Sequence, residues 1–248
     1  MSRLEAYGRA SRAPRYSLLF ALPLLLAYEA LAAALGGPGG EGIRNGADVL
    51  LKSLFLGLGG ERGLRVFALL LLGGGGVLVV RDLRASGWRL EARVFLLMLA
   101  ESLVHALLLG VVAGWLTARL LGGLPLATML AGGGGVATLD LPTQLMVSLG
   151  AGLYEELLFR VLLVGALAWA ARALFRWPPA VAGVVATVLG AVIFSAFHYV
   201  GPLGDRLEVG SFTFRAIAGV LFSALYLVRG FGITAWAHAL YDVLIALR

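Results

Sequence analysis

Seven long apolar runs, separated by segments most of which carry arginine, fix the fold of this chain before any single residue is considered. They cover residues 16–36, 64–80, 94–121, 145–175, 180–200, 212–228 and 233–247. A helix of roughly 20 apolar residues crosses the hydrocarbon core of a bilayer, and most of these runs have about that length. An eighth stretch, 47–58, is shorter, contains Lys52 and is bracketed by glycines, which predicts an interfacial or re-entrant helix. The composition agrees, with 60% hydrophobic and 14% charged residues, where a soluble domain carries about 25% charged residues. These features exclude a soluble globular enzyme, a disordered chain and a nucleic-acid-binding module. The predicted fold is all-α, a polytopic membrane helix bundle of about seven spans plus one short interfacial or re-entrant helix. Residues 1–248 form a single integral membrane domain with the lipid bilayer as its first partner.

Charge placement gives an orientation. The net charge of +6 comes almost entirely from arginines, since Lys52 is the only lysine. Arg3, Arg9, Arg12 and Arg15, the Arg81/Arg84/Arg89/Arg93 loop, the Arg172/Arg176 loop and Arg229 all belong on the inner side by the positive-inside rule. The 122–142 loop has no lysine or arginine and is expected outside. The amino terminus is thereby predicted to be cytoplasmic. The weight of Ala, Gly, Leu and Arg suggests a GC-rich genome, and hence a bacterial inner membrane. The first run is too long for the apolar region of a cleavable signal peptide, about 7–15 residues, so it is read as a retained span. The absence of cysteine removes disulfides, thiolate metal sites and cysteine nucleophiles. The glycine runs 73–76 and 132–135 show no phosphate-loop spacing and are read as helix-packing or punctuation elements.

Ionisable residues inside apolar runs carry the functional information. They are Glu29, Glu101, His105, Glu155, Glu156, Arg160, His198, His238 and Asp242. A charged side chain costs about 2.5–3.5 kcal/mol at the centre of a membrane helix, so such groups are expected to meet one another or water. Three patterns fall in separate runs of the carboxy-terminal half. In Glu155-Glu156-x-x-x-Arg160 the second acid and the arginine are one helical turn apart, which suits an ion pair and leaves Glu155 without a local partner. Phe194-x-x-x-His198 puts a ring and an imidazole on one face, and His238-x-x-x-Asp242 does the same for an imidazole and a carboxylate. Each pattern alone is compatible with helix-to-helix hydrogen bonding. Upstream, Glu101 and His105 share a face and are expected to pair structurally, with each other or with Arg119 or Arg215.

Taken together and in this order, the three patterns resemble the CAAX prenyl protease and bacteriocin-processing family of intramembrane metalloproteases, the type II CAAX prenyl endopeptidases and their relatives. The resemblance covers residues 145–247, with no counterpart motif in the first half. It implies an intramembrane protease of the metalloprotease kind that cleaves a peptide or membrane-protein substrate inside a helical cavity. Carried over residue by residue, Glu155 activates water with help from His198, while His238 and Asp242 stabilise the oxyanion. Glu156, Arg160 and Phe194 support them. A divalent metal such as zinc would draw its ligands from Glu155, His198, His238 and Asp242. The family commonly has asparagine where this chain has Asp242, and an aspartate donates a hydrogen bond only when protonated. Otherwise Asp242 orients His238 or binds a metal beside it. This departure weakens any specific expectation of a prenylated substrate. Two other classes fit the same residues: a proton- or cation-coupled transporter using Glu155, Glu156, His198 and Asp242 as a relay, and a non-catalytic membrane immunity or partner-binding protein. No internal repeat supports the first, and the intact Glu155, His198 and His238 argue against the second.

Overall fold

The computed structural model describes residues 2–36, 42–123 and 135–247. The greater part of the 122–142 loop, which has no lysine or arginine, lies outside the described residues, and with it most of the second glycine run. The rest is a bundle of helices with no strand among the described residues. A short polar helix, α1 (Arg3–Arg12), is closed at its start by a capping box between Ser2 and Glu5. It leads into α2 (Pro14–Leu35). Next come α3 (Gly46–Ala68) and, through a π-helical turn at Leu69–Gly74, α4 (Gly75–Ser86). The long α5 (Ala92–Leu120) follows. Then α6 (Leu141–Gly150) runs through a π-helical stretch, Ala151–Val164, into α7 (Gly165–Phe175). The chain closes with α8 (Pro179–Phe197), α9 (Val209–Arg229) and α10 (Phe231–Ala246).

Six of these helical segments are long and apolar enough to cross a membrane. The seventh expected span, α10, is a 16-residue helix, just under that length. Its shortness follows from its place, since α10 is the centre of the bundle and packs on α2, α5, α6, α9 and the π-helical stretch. Ala235, Ala237 and Ala239 are buried on it and let neighbouring backbones come close. By contrast α5 exposes Leu96, Leu103, Leu107 and Val111 along its outer side, as a lipid-facing helix does. The molecule is thus an integral membrane protein of all-α architecture.

The stretch 47–58 is the first part of α3 and does not stand alone. The helix is broken at Gly59 and Gly60, where Gly60 takes φ 57° and ψ −141°, a conformation that L side chains rarely adopt. Beyond the break the chain folds back so closely that Phe55 and Phe67 bring their rings to 5.2 Å. A short arm of helix, 46–58, is thereby laid against the π-helical stretch rather than being continuous with the span that follows.

Ion pairs and hydrogen bonds join several of the basic segments at one end of the bundle. Arg15 pairs with Asp82 at 3.1 Å, and Arg229 reaches the Ser11 hydroxyl at 3.1 Å. Arg229 also grips Glu101, with 2.7 Å between Nη2 and Oε2, and Tyr7 donates to the same carboxylate at 2.5 Å. Glu101 therefore pairs with Arg229 and Tyr7, correcting the expectation of Arg119 or Arg215. His105 turns back to the Glu101 backbone carbonyl at 2.8 Å, and Arg215 pairs with Asp205. The sequence cannot show these partners because they come from helices far away in the chain.

Candidate active site

Glu155 and Glu156 sit on the π-helical stretch, and both are buried, Glu155 at 6% exposure and Glu156 at 0%. π turns are uncommon and recur at functional sites because they re-aim side chains within an otherwise regular helix. Here two adjacent acids both enter the bundle interior but face different partners. Glu156 lies 3.2 Å from the Arg160 guanidinium, and on its other side it receives His238 Nδ1 at 2.7 Å. Arg160 is fully enclosed. Its guanidinium stacks over Phe194 at 4.3 Å and faces Phe222 at 5.5 Å, so rings and one carboxylate replace water around it. The expected Glu156–Arg160 pair is present, and the bond from Glu156 to His238 adds a second task that spacing alone did not reveal.

His198 caps the end of α8, with Nδ1 2.8 Å from the Phe194 carbonyl. A carbonyl only accepts, so Nδ1 carries the hydrogen and Nε2 of the neutral ring presents a lone pair. The Phe194 ring meets the imidazole edge-on at 4.8 Å. His238 has the same arrangement, with Nδ1 committed to Glu156 and Nε2 turned the other way. Phe222 stacks on the His238 ring at 4.5 Å and 23° between planes.

Both Nε2 atoms face one carboxylate oxygen. Glu155 Oε2 lies 3.8 Å from His198 Nε2 and 3.9 Å from His238 Nε2. Asp242 Oδ2 is 3.6 Å from His238 Nε2. Glu155 Oε1 is held by Asn45 Nδ2 at 2.8 Å, but Oε2 is buried with no hydrogen-bond partner. Four groups that accept hydrogen bonds therefore converge without a donor between them, at separations too long for direct hydrogen bonds. A water or another hydrogen-bonding group fits that space. These side chains line a cavity of about 860 Å³ whose wall is mainly apolar, large enough for a short peptide segment.

The oxygen and nitrogen donors suit a divalent ion, and a histidine held at Nδ1 by a carboxylate or carbonyl is the usual support of a metal ligand. The spacing is open, however. Among the described residues no three His, Asp or Glu side chains are gathered closely enough to form a ready-made metal site.

Sequence reasoning did not single out Asn45 or Phe222. Asn45 arrives from the short arm of α3, where no motif was expected. A signal was present in the crowding of Arg44, Asp48 and Lys52 around an apolar stretch, and in the unassigned Glu29. The structure joins them: Asp48 bonds Arg44 at 3.0 Å and Lys52 at 2.7 Å, and Glu29 bonds the same two cations and the Tyr154 hydroxyl.

No curated protein and no solved structure matches the chain. Residues 137–244, which hold every carboxy-terminal group of this site, match the family described as Type II CAAX prenyl endopeptidase Rce1-like, the family that the three helical motifs resemble.

Proposed function

We propose that the protein is an intramembrane endopeptidase in which Glu155 activates a water molecule held between its free oxygen and the two histidines. The observation that carries this reading is the convergence of Glu155 Oε2 with His198 Nε2 and His238 Nε2 at 3.8 and 3.9 Å in an apolar cavity. Such a water donates one hydrogen to Glu155 and one to His198. Glu155 takes its proton as the water oxygen attacks the scissile carbonyl carbon, and returns it to the departing amine nitrogen. Charge developing on the carbonyl oxygen needs donors placed in advance, and in a dry cavity these count for more than in water. His238, with Nδ1 held by the Glu156 carboxylate, supplies one from Nε2 when that nitrogen takes up a proton. Asp242 supplies another when it carries a proton. Arg160 fixes Glu156 and Phe194 steadies His198, which makes them positioning residues.

A divalent ion such as zinc, if the reaction employs one, would be held by Glu155, His198 and His238, with Asp242 beside them, and would add Lewis acidity at the bound water. The protein is further proposed to lie in a bacterial inner membrane with its arginine-rich end, including the amino terminus, in the cytoplasm. The shared end of Arg15, Asp82, Ser11 and Arg229 supports that orientation. The substrate is proposed to be a peptide or membrane-protein segment, and the family suggests a prenylated carboxy terminus as the first to try.

The test uses purified protein in lipid nanodiscs with two internally quenched peptides, one ending in a farnesylated cysteine followed by two aliphatic residues and a variable last residue, the other lacking the lipid. Cleavage of either, lost in Glu155→Gln with fold retained, is the expected result. Cleavage that survives Glu155→Gln, or no cleavage of either peptide, overturns the proposal.

A further inference from the structure

The structure assigns Asn45, from the amino-terminal half, as the positioning residue of the Glu155 carboxylate. This inference rests on the peptidase reading above and extends the site to a part of the chain that the family match, residues 137–244, does not reach.

Asn45 is buried at 3% exposure and each of its polar groups is committed. Its Oδ1 caps α3 by accepting from the Ala47 backbone N–H at 2.9 Å. That bond fixes which end of the amide is oxygen and aims Nδ2 at Glu155 Oε1, 2.8 Å away. The backbone N–H of Asn45 donates to the Tyr28 hydroxyl at 3.2 Å, which in turn donates to Asp48 at 2.7 Å. Asp48 is at 0% exposure and anchored by Arg44 and Lys52. The residue is thus held at three points, two on its side-chain amide and one on its backbone N–H, and the amide cannot rotate without breaking a buried bond.

The main chain is shaped to allow this approach. A Cβ on Gly150 would stand 2.5 Å from the Tyr28 ring and 2.8 Å from Asn45 Cβ, so only glycine lets the helix before Glu155 come so near.

The consequence is chemical as well as mechanical. With Oε1 occupied by an N–H, the carboxylate presents Oε2 alone to His198 and His238. Without that donor it can swing, or turn Oε1 toward the water, and the reacting oxygen loses its register.

Two variants separate this role from helix capping. Asn45→Ser keeps an N-cap hydroxyl but has no reach to Glu155, and Asn45→Asp keeps the cap oxygen while replacing the donor by an acceptor. Both should still fold, with a thermal midpoint lowered by the lost buried hydrogen bond and lowered most in Asn45→Asp, where a second carboxylate meets Glu155. With the quenched peptides, kcat should fall about 10–100-fold, the usual scale for a supporting hydrogen bond, while KM stays within about twofold. Independently of any substrate, dicyclohexylcarbodiimide, an apolar carboxyl reagent, reaches a carboxyl group released from its partner more readily than one held in place. Its labelling of Glu155, read by mass spectrometry, should be several-fold faster in both variants than in the parent protein. Folded variants with unchanged kcat, or a rise in KM alone, overturn the inference, as does unchanged labelling. Cleavage that survives Glu155→Gln instead removes the peptidase reading, and the labelling result still decides whether Asn45 holds the carboxylate.

Discussion

Two of the groups of ionisable side chains in this bundle, around Glu101 and around Glu155, differ in whether every acceptor has a donor. Around Glu101 the account closes: Arg229 approaches both carboxylate oxygens, Tyr7 adds a hydroxyl, and Arg229 also meets Ser11. Around Glu155 it does not, because one oxygen is bonded to Asn45 while the other faces two imidazole lone pairs and a neighbouring aspartate. A closed cluster holds helices together and has nothing left to react with. An open one is costly in an apolar interior unless water, a proton or a ligand completes it. The contrast separates the two clusters where sequence spacing could not, since Glu101/His105 and His238/Asp242 have the same four-residue interval.

The comparison is broken most directly by Glu155→Gln. Loss of the base should lower the peptidase rate by about 10²–10⁴-fold, the range for a positioned general base, with yield and thermal midpoint near the parent. A glutamine that abolishes folding instead would move Glu155 into the structural class. Glu156→Gln should do both kinds of damage. It leaves Arg160 buried without its carboxylate and replaces the charged acceptor of His238 Nδ1 by a neutral amide, so lower yield should accompany a fall in rate of about 10–100-fold in the folded fraction. Rates normalised to folded protein by size-exclusion chromatography separate the two effects, and a fall in yield alone would reduce Glu156 to a structural role.

Much of this architecture is legible in the sequence because bilayer physics is coarse. Runs of apolar residues long enough to span announce themselves, and α2, α5, α8 and α9 fall where those runs do. The Glu156–Arg160 pair is visible too, since one turn of helix joins its members. What is not legible is contact between distant segments. Asn45 and Glu155 are 110 residues apart, and no local pattern connects them. Glu29 is unassignable from sequence for the same reason: its partners Arg44, Lys52 and Tyr154 come from other helices and the loop before α3. Local rules also assume an α-helical turn, whereas the two acids sit on π turns, so the angle between them is not the one that sequence spacing suggests.

A smaller effect is expected at the closed cluster. Glu101→Gln removes the charge that Arg229 and Tyr7 face, in a half-buried setting, and should cost about 1–3 kcal/mol of stability. The rate per folded molecule should stay within about twofold of the parent, because a structural pair contributes nothing to the transition state. A change in kcat at constant fold would mean that the two clusters communicate and that the distinction drawn between them is too sharp.

A change in pH dependence rather than a large loss of rate is expected at Asp242, where the family pattern commonly has asparagine. Glu156 already holds His238 through Nδ1, and Asp242 lies on the Nε2 side, facing the cavity. A group there acts on the reacting atoms more readily than on the orientation of the ring. If it donates to the oxyanion as an acid, Asp242→Asn keeps a donor of similar size that never ionises. The rate should then remain within about tenfold of the parent, and its decline at high pH, where an aspartic acid gives up its proton, should become shallower. A carboxylate that supports a metal predicts the opposite, a fall of about 10–100-fold that deepens when chelator is added. Rate profiles across pH for both proteins, each with and without chelator, decide between these outcomes. A large chelator-sensitive loss in Asp242→Asn would close the open cluster around an ion and replace the donor role argued for this residue.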